Sequence, residues 1–356
     1  METRIRRFVP VALAIALLSA AHAQERFQVA LWPEGAKGAY SLTLDDYCGD
    51  WARGVGETAD AIARAEGVRF GFSIIVGQCG RAQWEKARSM AEWGHEPLNH
   101  SWSHTCPTEE DWCMASSQRR HWTDLALELD SSTAAIERNV GIRPVTFAFP
   151  FDRWLPEHRA ALERLGYVAD RSGQGGRVND DEPDLPAHYS ADALFPKDDP
   201  GRLRFQSFSL DSLPKHVAAR GGWATRTMHG VADASWGSLD ADEFAAHVRL
   251  MSRLRRERKV WSAPPGDVVL YAAMRDRVRF GKAAPGGAHG GMLVKYENEL
   301  DSLAALRPSL RLSVEVAGRG VKRAWQGDAP AKTVCEGRYC WVEVSPRSGE
   351  FELEFE

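Results

Sequence analysis

Gly38-Ala39-Tyr40-Ser41-Leu42-Thr43-Leu44, followed at once by Asp45-Asp46, is the stretch on which the fold turns. It ends in β-formers and apolar residues and then in two carboxylates, so it reads as a strand delivering Asp45 and Asp46 at its C-terminal end. Neighbouring side chains on an extended chain face opposite ways, which sets the two aspartates for different jobs. Outward from this strand the patterns alternate. A helix is expected over 58–66, a strand over 68–76, a helix over 82–93 stopped by Gly94, a long helix over 117–139 ending near Gly141, and a strand over 145–149 stopped by Pro150. A strand over 222–228, a helix over 240–257, a strand over 259–262 and a helix over 267–278 follow. Such alternation predicts an α/β fold with a parallel sheet, open or closed into a barrel. Residues 172–204, rich in Gly, Asp and Pro and without a period, read as a long functional or lid-like loop. Residues 281–291 read as a linker, and alternating segments at 310–316, 321–325 and 341–344 as a small β-rich module. The expected division is a catalytic part over 24–280 and a module over 281–356.

The 356 residues are 44% hydrophobic and 26% charged with a net charge of −4, which excludes intrinsic disorder and a nucleic-acid binder working through bulk basicity. Arg4, Arg6 and Arg7 precede an apolar run over 9–20 and an Ala21-His22-Ala23 cleavage pattern. The run is shorter than the roughly 20 residues of a membrane span, so residues 1–23 read as a removable signal peptide. A periplasmic or secreted protein without stable membrane insertion follows. There the six cysteines tend to pair. Proximity suggests Cys335 with Cys340 and Cys106 with Cys113, leaving Cys48 and Cys79, which is one of 15 possible connectivities. A cysteine zinc site would need close C-x-x-C steps, which are absent.

His100 and His104 lie four apart in His100-Ser101-Trp102-Ser103-His104, a spacing that puts both imidazoles on one face of a helical turn. One carboxylate and two imidazoles make a standard set for catalytic zinc or a similar ion, with positions left for water and substrate. His95 reads as structural, and His121, His158, His216 and His247 as solvated.

These segments resemble the polysaccharide deacetylases, the NodB-homology domain of carbohydrate esterase family 4. Thr43-Leu44-Asp45-Asp46 is similar to the family's first motif, and Gly94-His95-Glu96-Pro97-Leu98-Asn99-His100-Ser101-Trp102-Ser103-His104 to its second, almost position for position. Phe147-Ala148-Phe149-Pro150-Phe151 resembles the third, and Gly166-Tyr167 and Met228-His229 resemble later elements. The resemblance implies a distorted (β/α) barrel. It implies Asp46, His100 and His104 as ligands of Zn2+ or another divalent cation such as Co2+, Asp45 as general base, the backbone N–H of Phe151 as oxyanion donor, and His229 as the acid that protonates the leaving group. An Arg of the third motif that braces the base is replaced here by Ala148, for which Arg171 is the substitute in view. Tyr47 and Asp152 stand where glycines are common. No clear fourth motif is present, with Trp223 and Asp211 as stand-ins for the pair that tunes the histidine.

The implied function is an exported metal-dependent deacetylase of an acetylated polysaccharide or oligosaccharide, acting on N-acetyl or O-acetyl groups and releasing acetate. Two alternatives are a catalytically impaired carbohydrate-binding protein on the same fold and a zinc hydrolase of a non-sugar amide.

Overall fold

The computed structural model describes residues 26–174, 179, 185–194 and 209–356. The leader over 1–23 and most of the segment 172–204 lie outside the described residues, but the expectation of one long loop there fails where it can be checked: Ala187–Ala193 is a strand paired in parallel with both of its neighbours in the main sheet.

The quoted stretch is the central strand. Ordered by the chain, the strands of the main sheet are β2 (Gly38–Tyr47), β3 (Gly71–Ile74), β4 (Glu96–Asn99), β5 (Thr146–Ala148), β6 (Ala169–Gln174), β7 (Ala187–Ala193), β8 (Gly222–Met228) and β9 (Val260–Ser262), with β1 (Arg26–Val29) elsewhere. Every ladder among them is parallel, because helices return the chain between strands: α1 (Asp60–Glu66), α2 (Arg81–Trp93), α4 (Ser132–Val140), α5 (Pro156–Arg164), α6 (Ser212–Arg220) and α7 (Ala241–Arg256), with short α3 (Asp111–Ser116) in a loop. β2 closes the sheet. It pairs along its length with β8 (Leu44 opposite Met228) and, in its second half, with β3 (Thr43 opposite Gly71), while its first half also takes β9 (Gly38 opposite Val260). The result is a distorted (β/α) barrel of the NodB-homology type, thinnest where β4 meets β5 through the single pair Asn99 and Phe147. β2 is buried throughout, as a strand covered on both faces must be.

Beyond helix α8 (Pro265–Arg275) the chain builds two antiparallel sheets. One joins β1, β13 (Leu312–Ala317), β17 (Tyr339–Val344) and β16 (Thr333–Glu336). The other joins β10 (Val278–Phe280), β12 (Met292–Asn298), β18 (Gly349–Phe355), β14 (Val321–Gln326) and β15 (Ala329–Pro330), with β11 (Ala284–Pro285) on β12. Thus β1 and β10, which the sequence division assigns to the catalytic part, are sheet members of the module, and part of the expected linker is strand β11. Trp32, Tyr271 and Val268 share one apolar core with Val314, Val342 and Phe351, so module and barrel bury their faces against each other.

The long helix expected over 117–139 is shorter. Its first residues form a turn bridged between Cys106 and His121, and helix begins near Ala126, where a π-helical turn runs into α4. The three disulfides are Cys48–Cys79, Cys106–Cys113 and Cys335–Cys340, the pairing that proximity suggested.

Candidate metal centre and catalytic cleft

Parallel barrels gather the C-terminal ends of their strands at one mouth, and the sequence-expected residues stand there. Asp45 and Asp46 come from the end of β2, His100 and His104 from the loop after β4, Phe151 from just beyond β5, Arg171 from β6 and His229 from just beyond β8. Asp46 Oδ1 lies 3.2 Å from His104 Nε2 and 3.5 Å from His100 Nε2. One ligand atom from each of the three lies within 4.8 Å of the others. Asp46 reaches this position with φ 63°, a strained left-handed setting at the strand end.

The His-x-x-x-His segment is not a helical turn. Ser101 (φ 67°) and His104 (φ 54°) are left-handed, so the pair converges through a tight loop. Buried Glu128 holds that loop, its Oε2 accepting from the backbone N–H of Trp102 (3.0 Å) and Ser103 (2.9 Å). Asn99 Oδ1 accepts from Ser101 N–H and Ser101 Oγ from His104 N–H. Sequence reasoning missed Glu128, which stands about 25 residues away with no motif to mark it. Glu128→Ala is expected to lower stability by about 3 kcal/mol, because two charge-assisted hydrogen bonds go at once. Glu128→Gln, keeping an oxygen, should recover most of it. Urea midpoints at unchanged slope measure both, and an unaltered midpoint in the alanine variant would refute the brace.

The residues fit a divalent cation. Asp46 Oδ1 is buried with no hydrogen-bond partner, although it is the atom facing both histidines. His100 Nδ1–H donates to the Ala148 carbonyl at 2.6 Å, which fixes the tautomer and leaves Nε2 with its lone pair toward Asp46. Burial pushes the Asp46 carboxyl up, but His104 and His100 outweigh it and hold it well below the usual carboxylate range. Burial lowers His100, yet Asp46 and Asp45 raise it overall.

Ala148 is where an arginine was expected, and Arg171 on the neighbouring strand stands directly opposite it. Arg171 is buried and forks onto Asp45: Nη1 to Oδ1 at 2.9 Å, Nη2 to Oδ2 at 2.7 Å. Ser73 Oγ–H adds a third bond to Oδ1 at 2.6 Å. Burial raises the Asp45 carboxyl, but Arg171 and then His100 bring it down to about 2. Arg171 Nε also faces Asp152 at 3.6 Å. Asp152 and Phe151 both have left-handed backbones (φ 55° and 57°), the setting that suits glycine where Asp152 stands. The Phe151 ring lies 5.1 Å from His104.

His229 does not meet the partners expected for it. Its Nδ1 is buried without a hydrogen bond. Asp211 instead accepts from His247 Nδ1–H at 2.9 Å, and Trp223, at the opposite end of β8, donates to Ser41. The ring against His229 is Trp236, edge-on at 4.9 Å. His247 is fully buried between Asp211 and the Tyr40 hydroxyl, and His158 is buried against Trp122, so neither is solvated. His95 has the structural role expected, its Nε2–H donating to Asp60. Trp51, Trp112 and Trp236 are exposed at this mouth, against Asp46, Phe151 and His229 in turn. A cleft of about 540 Å³ is lined by Tyr47, Arg53, Glu57, Gln83 and Lys86 among others, and by none of Asp46, His100 and His104.

The barrel mouth thus gathers one carboxylate and two imidazoles that could hold a metal ion beside a second carboxylate clamped by Arg171. Residues 33–169 match the family model described as polysaccharide deacetylase. No curated protein matches the chain. Among solved structures it is similar to a family 4 carbohydrate esterase from Streptomyces lividans in complex with acetate (17% identity, 64% of this chain and 92% of that one, TM-score 0.39). It is also similar to a polysaccharide deacetylase from Bacillus cereus (12%, 64% and 91%, 0.38) and to a family 4 pseudoenzyme from Bacillus anthracis (14%, 65% and 66%, 0.40).

Proposed function

We propose that this chain is an exported metal-dependent deacetylase that hydrolyses N-acetyl or O-acetyl groups of a polysaccharide or oligosaccharide and releases acetate. The observation that carries the reading is the convergence of Asp46, His100 and His104 beside the clamped carboxylate of Asp45. Asp46, His100 and His104 would hold zinc or cobalt, which when bound supplies Lewis acidity toward water and the acetyl carbonyl. Asp45, ionised across the neutral range, accepts the proton of the attacking water, and Ser73 and Arg171 keep its lone pairs aimed. The Phe151 backbone N–H donates to the oxyanion that forms at the acetyl carbon. His229 gives a proton to the departing amine or alcohol, a task suited to an imidazole near neutrality. The leader-like N-terminus and the three disulfides support export, and no helix of the described residues is long and apolar enough to cross a membrane.

Acetate release from chitin oligomers and from acetylated xylan, each measured before and after chelation and again with zinc restored, tests the reading. Metal-dependent release from one of them is expected, and no release from any acetylated glycan overturns it. The unpartnered Nδ1 of His229 favours one competitor, a glycan-binding protein without turnover. That competitor predicts binding unchanged by Asp45→Asn and no acetate.

A further inference from the structure

Trp51 stands outside every motif, yet its indole N–H donates to Asp46 Oδ2 at 3.3 Å while its ring stays partly exposed. The other oxygen of the same carboxylate, Oδ1, is the one that faces His100 and His104. The two oxygens of Asp46 are therefore engaged by different partners.

The segment carrying Trp51 is built to put it there. Gly49 N–H donates to the Asp46 carbonyl (2.8 Å) and Ala52 N–H to the Gly49 carbonyl (3.0 Å), turning the chain sharply back on the strand end. A side chain at Gly49 would come within 2.9 Å of the Trp51 ring, so glycine lets the indole fold onto the carboxylate. Cys48, one residue earlier, is bonded to Cys79. The far end of the segment is held by the loop that follows His229. Asp233 Oδ2 accepts from Gly54 N–H (2.8 Å) and Ser235 Oγ–H donates to the Trp51 carbonyl (3.3 Å). Gly54 sits so close that a Cβ would lie 1.8 Å from the Val231 carbonyl. Asp233 is itself set by Ser235 N–H, and Trp236 of the same loop lies against the His229 ring.

We propose that Trp51 is a positioning residue for Asp46: it occupies Oδ2 and leaves Oδ1 alone to face the two histidines, and the loop over 230–238 sets it together with His229. The inference rests on the metal-site reading above. A hydrogen-bonded outer partner fixes a ligating carboxylate's orientation and basicity, and losing one typically costs about 10–100-fold in metal affinity. Because one loop touches both Trp51 and His229, the metal ligand and the proton donor are registered to each other across the mouth.

The test uses the full chain and zinc. Zinc affinity by competition with a chromophoric chelator, the visible spectrum of the Co2+-loaded protein and the thermal midpoint are measured for wild type, Trp51→Phe, Gly49→Ala and His104→Ala. Trp51→Phe removes the donor, and Gly49→Ala keeps the indole but displaces its ring. Both are expected to bind zinc about tenfold or more weakly. Their cobalt absorption should also weaken as Oδ2 becomes free to ligate, a change that a merely structural role would not produce. Zinc affinity within twofold of wild type and an unchanged cobalt spectrum in either folded variant overturn the proposal. Should wild type and His104→Ala bind zinc equally, the metal-site reading itself falls, and this inference with it. If His104→Ala alone loses zinc, only the role of Trp51 is refuted.

Discussion

Arg171→Met is expected to destabilise the protein by about 3–5 kcal/mol, because it leaves the Asp45 carboxylate buried without its cation. Arg171 is the leading cause that brings this carboxyl down to about 2 against the push of burial. A folded value below the unfolded one of 3.8 adds stability that is fully present above the unfolded value and is lost as the pH falls through about 2. The deficit of the variant should therefore be largest near pH 7 and narrow by about 1 kcal/mol or more by pH 3. Urea unfolding at the two pH values measures this, and an equal deficit at both would rule out an electrostatic clamp. Under the proposed mechanism turnover falls as well, by about 10²-fold or more, since a mis-aimed base forfeits the gain from general-base catalysis. Arg171→Lys keeps the charge but cannot fork onto two oxygens, so it should recover part of the stability and little of the rate.

Under the proposed function, His104→Ala is expected to lower metal-dependent acetate release on the order of 10³-fold, from the loss of several kcal/mol of Lewis-acid stabilisation. Asp46 and His100 alone leave a two-ligand site, too few for a catalytic zinc. The variant should emerge from equilibrium dialysis with clearly less zinc than wild type, and chelation of wild type should reproduce its rate. Full zinc occupancy and a wild-type rate in His104→Ala would remove this residue from the ligand set. His104 is partly exposed, so its loss should alter the thermal midpoint much less than the loss of buried Arg171.

Much of the cleft was legible because its residues sit at strand ends, where local patterning is strong. The run Gly38–Leu44 reads as a strand with the two aspartates at its end, as found, while its complete burial is seen only in the structure. Asp46, which the family resemblance singles out, and the two histidines cluster. The route to the cluster differs from the expected helical turn, since i, i+4 spacing looks the same in a helix and in a loop bent by left-handed residues. What bends the loop is Glu128, and no local pattern marks a side chain from another element. His247 was read as solvated on a polar helix, and its burial becomes visible only once Tyr40 and Asp211 pack around it. Strand β1 has too little sequence to declare itself, and its partner β13 lies nearly 300 residues along the chain.

By itself the sequence determined the alternating α/β plan, the strand that carries the two aspartates, the two histidines four apart and a cysteine pairing readable from proximity. These depend on residue type and short spacing. The tertiary structure decided which groups complete the site. Arg171 reaches Asp45 across 126 residues because closing the barrel brings β6 and β2 to one mouth. Trp51 lies only five residues from Asp46, yet its indole meets the carboxylate because a tight turn folds it back and a loop about 180 residues away holds it there. Spacing along a chain sets what can meet nearby, but contacts between distant segments exist only after the hydrophobic core has closed the sheet.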